Sequence, residues 1–208
     1  MLIVTSAVAA LLAAAPLPSS SLLPPPPMIV NVTVDANLSA SLVARMLDEA
    51  TSIWSLAGLP VVWQRTPNRP RGTITVKVGS ERGSSTDGAL PLGWIRFDDV
   101  QTPEPQIYVS DANARALLAE WGGSTMGIHR MPVLQQEVLL ARAMGRALAH
   151  ELGHYLLASK AHTRRGLMRT DRSANDFFTT TREGFTLDPA QRAQIAARFG
   201  AVGVIVSR

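Results

Sequence analysis

"HELGHYLLASKAHTRRGLM", residues 150–168, carries three of the chain's four histidines, His150, His154 and His162, within thirteen positions. The first two are four residues apart. On an α-helix that is an advance of about 6 Å and a rotation of about 40°, so both imidazoles leave the same side. Neutral imidazole is a common zinc ligand, with Zn–N near ~2.0–2.1 Å, and two rings one turn apart can share an ion. Glu151 is rotated ~100° from His150 about the helix axis. It is badly placed to ligate the same ion but can reach a water held there. After one more helical turn, "ASKAH" (158–162) can bring the chain back so that His162 faces the metal. Three imidazoles leave a fourth position open, which is how catalytic zinc sites differ from closed structural ones.

The segment upstream of these histidines reads as one long helix opened by Pro132. Leu134, Val138, Ala141, Gly145, Leu148 and Leu152 recur at three- and four-residue spacing and predict its core face. Ala143 and Ala147, on the histidine side, leave room for strands to pack close. Further upstream, "MIVNVTVD" (28–35) alternates as a strand, and Val43 to Ala57 is periodic as an amphipathic helix stopped by Gly58 and Pro60. "VVWQR", "TITVKV", "LGWIRF" and "QIYVS" predict four more strands, and Asp111 caps a short helix over 112–121 ending at Gly122–Gly123. Downstream, Asp188 and Pro189 open a last helix with Ile195 and Phe199 on one side. Strand, helix, several strands, long helix and short helix in that order predict an α+β domain with a mixed sheet.

At 208 residues, 46% hydrophobic and 17% charged, the chain suits one globular domain. The net charge of +4 comes from scattered arginines, with Lys77 and Lys160 the only lysines. No basic run is interleaved with aromatics, so nucleic-acid binding is not indicated and the arginines read as solvated surface. The absence of cysteine excludes disulfides, thiolate nucleophiles and Cys-ligated zinc. Residues 1–16 form an apolar stretch ending in small residues, too short for a stable membrane span, and read as a signal peptide. The mature protein is then secreted or periplasmic. Residues 17–27 read as a Pro/Ser-rich linker and 28–208 as a single domain. His129 reads as a solvated loop side chain.

Residues 145–170 resemble the zinc-binding region of the metzincin metallopeptidases, nearest in style to matrixin-like sequences. There His-Glu-x-x-His continues x-x-Gly-x-x-His, followed by a methionine turn beneath the metal. The resemblance implies a zincin-like fold: a mostly parallel twisted sheet, a long active-site helix and a small C-terminal helical subdomain. It implies Zn2+ held by His150 and His154, Glu151 as the catalytic general base, and Met168 of "GLM" as the turn methionine. His162 becomes the third ligand by analogy, since it lies eight residues after His154 where the family has six. Leu157 stands where the family glycine lets the helix bend, and no tyrosine follows Met168. The activity implied is endopeptidase hydrolysis of a peptide or protein substrate, with zinc acidifying a water and Glu151 taking its proton. An extended substrate could join a sheet edge, and "ALPLGWIRF" (89–97), short and carrying Pro91 and Gly93, is the candidate edge. Two alternatives stay open: a non-catalytic secreted module stabilised by zinc, and a final ligand from Glu183, Asp171 or Asp176 in place of His162.

Overall fold

The computed structural model describes residues 27–65, 73–83, 90–125, 127 and 130–203. The expected signal peptide, all but the last residue of the expected linker, and His129 lie outside them. Five strands form one sheet in the order β2-β1-β3-β5-β4, where β1 is Met28–Val34, β2 Val61–Gln64, β3 Ile74–Gly79, β4 Gly93–Phe97 and β5 Pro103–Ser110. The first four in that order are parallel, and β4 lies antiparallel to β5. Alternation sets the faces: Val30, Val32, Val76, Val78, Ile107 and Val109 are buried, while Ile29, Thr33, Lys77 and Tyr108 between them are more exposed. Among the described residues no helix is long and apolar enough to cross a membrane.

Helix α1, Ala40–Leu56, is capped by the Ser39 hydroxyl, which accepts from the Leu42 N–H at 3.1 Å. It packs along α3, Val133–Leu157, so tightly that a Cβ at Gly145 would stand 2.6 Å from the Met46 carbonyl oxygen and 2.7 Å from Glu49 Cβ. Glycine at 145 is therefore a contact requirement, not a helix break. From Leu139 onward α3 is buried on almost every side, because α1, the sheet and the chain after residue 163 all lie against it. The expected stripe fails only at its start. Leu134 is 61% exposed, since the first turn of α3 projects beyond α1, and Ser39 and Ser41 reach Glu137 there instead.

Two element boundaries differ from expectation. β5 begins at Pro103, three residues earlier than "QIYVS" suggests. Its prolines are tolerated because β3 joins β5 only from Gln106, and the β4 ladder is irregular between Ile95 and Phe97. Helix α2, Asp111–Thr125, runs through Gly122–Gly123, and the chain leaves it at Gly127, whose N–H reaches the Gly122 carbonyl at 2.7 Å. Its cap is Ser110, which accepts from the Asn113 N–H; Asp111 pairs with Arg115 instead. After α3 come a short helix α4 (Ala174–Phe178), a 3-10 turn and α5 (Pro189–Gly203), whose first turn is capped by Asp188 accepting from the Gln191 N–H at 2.8 Å.

Candidate metal centre and active site

The chain brings His150, His154 and His162 together. His154 Nε2 lies 3.1 Å from Nε2 of His150 and 3.1 Å from Nε2 of His162. Tetrahedral zinc at ~2.0–2.1 Å from each nitrogen would set its ligands about 3.3 Å apart, so the spacing fits such an ion. The second nitrogen of each helical histidine is already engaged: His150 Nδ1 donates to the Leu167 carbonyl at 2.8 Å and His154 Nδ1 to the Ser159 carbonyl at 2.7 Å. Those bonds fix the tautomer that leaves an Nε2 lone pair facing inward. Burial, reinforced by the neighbouring histidines, pushes His150 down to about 3 and His154 to about 4. Burial lowers His162 as well. All three are therefore neutral near pH 7, the form that ligates metal.

The backbone explains how His162 arrives despite its longer spacing. α3 continues through Leu157, and Ala158 takes the left-handed conformation with φ 46° and ψ 46°. The Ser159 N–H then closes onto the His154 carbonyl at 3.2 Å, while the Ser159 carbonyl meets the His154 ring. The bend comes one residue after the place where the family glycine would make it. An alanine supplies it, at a cost of roughly 1–2 kcal/mol. The returning chain forms a loop in which the Thr163 N–H donates to the Met168 carbonyl at 3.0 Å and the Leu167 N–H to Thr186 at 2.8 Å. Gly166 there has φ 76° and a Cβ on it would meet the Thr186 carbonyl, so glycine is required. Met168 is fully buried against α3 at Gly153, between the two helical histidines, and a Cβ on Gly153 would overlap its sulfur.

Glu151 does not join the cluster. Its carboxylate is buried and accepts a hydrogen bond from the Ile95 backbone of β4; burial pushes its pKa up to about 8, against the pull of that bond. β4 comes this close because residue 93 is glycine: a Cβ there would lie 2.9 Å from Glu151 Cγ. Two cavities meet at His150, Glu151 and His162. One, about 350 Å3, follows β4 past Trp94, Ile95 and Phe97; the other, about 790 Å3, opens between α2, α3 and residues 169–172. β4 pairs with β5 alone among the described strands, so the edge expected at residues 93–97 is an edge.

The carboxylate alternatives do not converge on the histidines. Asp176 caps α4 through the Ser173 N–H and hydroxyl, while Asp171 and Glu183 are exposed. Among the described residues the three histidines form the only metal-binding group. Of the arginines expected on the surface, Arg146 is internal and Arg172 is half-buried. Arg146, one turn before His150, is fully buried, pairs with Glu49 at 3.0 Å and donates to the carbonyls of Asp176 and Thr181. Arg182 completes the group on Glu49 at 2.6 Å. Arg172 donates to the carbonyls of Gly166, Leu167, Gly184 and Arg169. Only the position of Arg146 inside a helix buried all round could have signalled this; Arg172 follows a loop and has no periodicity to betray it.

No family model matches the chain, and no curated protein matches it. Solved structures do. A zinc-dependent peptidase from Methanocorpusculum labreanum superposes with a TM-score of 0.51 at 12% identity, over 80% of this chain and 99% of that one. Archaemetzincin from Methanopyrus kandleri gives 0.51 at 13%, over 84% and 96%. At such identities the likeness is one of fold: the chain has the zincin-like α+β architecture with a mostly parallel five-stranded sheet.

Proposed function

We propose that the protein is a zinc-dependent peptidase that cleaves within peptide chains. The observation that carries this reading is the convergence of three Nε2 atoms beside a buried carboxylate, at the foot of a cleft with a free sheet edge. The names of the two superposed enzymes, a zinc-dependent peptidase and an archaemetzincin, support it. His150, His154 and His162 would hold the ion through Nε2. A zinc ion there supplies Lewis acidity, polarising a carbonyl and lowering the pKa of water towards ~7. A cation held by the three histidines would favour the ionised form of Glu151, whose carboxylate then takes the proton from the attacking water and returns it to the leaving amine nitrogen. The edge of β4 hydrogen-bonds the extended substrate and so orients the scissile bond. The apolar segment 1–16 supports a site of action outside the cytoplasm, which N-terminal sequencing of the mature protein would test.

The deciding experiment compares wild type with Glu151→Gln, measuring bound zinc and cleavage of a peptide library with a chelator control. A peptidase keeps its zinc and loses cleavage by about 10²–10⁴-fold. If wild type cleaves nothing while holding zinc, the protein is a zinc-stabilised module without catalysis.

A further inference from the structure

The larger cavity bears on which substrates the proposed peptidase takes, and the inference rests on that reading. β4 runs from Gly93 to Phe97 and already pairs antiparallel with β5. A substrate strand laid antiparallel on its free edge would run from the Phe97 end towards the Gly93 end. The 790 Å3 cavity lies at that second end, lined by Leu90 to Gly93 as well as by His150, Glu151 and His162. A side chain entering it therefore belongs to the leaving-group side of the scissile bond.

The walls are largely apolar, with Leu92, Leu117, Phe177 and Phe185 among them. The charges they carry are unequal in consequence. Arg146 is paired with Glu49, which it shares with Arg182, and Arg169 lies 3.8 Å from Asp176. Of the acids, Glu151 is committed to the chemistry, and Glu120 is an exposed residue of α2 that water and salt screen. Arg172 differs from all of these. Among the described residues no carboxylate comes within ion-pair distance of it, Asp176 acting on it only from further off, and its Nε and Nη2 donate to backbone carbonyls. Nη1 donates to none of the described residues, and the guanidinium lies 3.9 Å from the centre of the Phe185 ring. Four carbonyls and an aromatic face hold this cation in place before any substrate arrives. A carboxylate meeting it gains a charge-assisted bond and freezes no mobile arginine.

We propose that the cavity selects substrates presenting a carboxylate on the leaving-group side of the scissile bond, with Arg172 as the specificity-determining residue. The carboxylate can come from an acidic side chain or from the substrate's C-terminus. The experiment uses the zinc-loaded full chain and C-terminally amidated peptides that differ only in the residue after the scissile bond: Glu, Gln, Leu or Lys. A parallel pair ends at that residue, with the terminus free or amidated. Glu should exceed Gln by roughly tenfold in kcat/KM, the discrimination of one charge-assisted hydrogen bond, with Lys slowest. A gain from the free terminus alone would assign the carboxylate to the C-terminus and replace cleavage within chains by release of the C-terminal residue. The same peptides are titrated against zinc-loaded Glu151→Gln, so that affinity is read without turnover. Tenfold tighter binding of Glu than Gln there, without cleavage by wild type, would support the cavity's role and sink the peptidase reading. In Arg172→Gln the Glu/Gln ratio should fall to about one while the Leu peptide is still bound. Should that variant not fold, Ala116→Glu, which adds a carboxylate to the cavity wall, should suppress the same ratio. Equal handling of Glu and Gln peptides by wild type, with the free terminus giving no gain, would overturn the inference.

Discussion

Gly153 lies between His150 and His154 on α3, and a methyl group added there meets the sulfur of the fully buried Met168. On helix propensity alone, Gly153→Ala should stabilise the protein by about 0.8–1 kcal/mol. The overlap opposes that. Met168 has no exposed surface to move into, and the other neighbour within reach is Leu167 Cδ2 at 3.8 Å, so the loop carrying both must shift. Overpacking of this kind costs about 1–3 kcal/mol, which outweighs or cancels the propensity gain. The net expectation is a loss of up to ~2 kcal/mol on those two figures, together with weaker zinc binding, because the Leu167 carbonyl that orients His150 moves with the loop. Urea denaturation of the metal-free protein measures the first effect and competition with a chromogenic chelator the second. Repeating the substitution in a Met168→Ala background isolates the contact: there Gly153→Ala should become stabilising, with a coupling of about 1–3 kcal/mol. A more stable Gly153→Ala single variant with unaltered zinc affinity would refute the packing argument.

His162→Ala should weaken zinc binding by well over tenfold, measured by the same competition, because no carboxylate among the described residues stands ready to replace it. Ala158→Gly should raise stability by up to about 1 kcal/mol, read by urea denaturation, by relieving the left-handed alanine. Glu49→Gln should cost about 3–5 kcal/mol in the same assay, since it leaves the buried Arg146 guanidinium without its counter-charge. The metal-free protein should be most stable near pH 6.5, as followed by Tm. Below that, the unfolded histidines take up protons that His150 and His154 refuse until about pH 3 and 4, so stability falls with acid by about 1.4 kcal/mol per pH unit for each. Glu151, pushed up to about 8 from 4.5, stays protonated in the fold while its unfolded counterpart is ionised, so between those values it lowers stability as pH rises, offsetting one histidine on the acid side and leaving a net fall above pH 6.5; Glu151→Gln should abolish that alkaline fall and steepen the acid limb.

The histidine pair, the neighbouring carboxylate and the helix that bears them were legible in the sequence because helical geometry is local: a four-residue interval fixes which side chains share a face. Alternation in the same way located the strands, and the short Gly- and Pro-bearing segment at 89–97 betrayed the edge. Other features depend on partners far along the chain. His162 reaches the cluster only because Ala158 turns where the family glycine is missing, a choice sustained by the Ser159–His154 contacts. The pairing of Arg146 with Glu49, 97 positions earlier, cannot be read from helical spacing, and the anchoring of Arg172 beside the cavity leaves no periodic trace. Sequence thus determined the donor chemistry and the face it occupies, because covalent spacing and helix pitch act over a few residues. Tertiary packing alone decided the loop that completes the site and the charge of the cavity beside it, because burial and ion pairing join groups the chain keeps far apart.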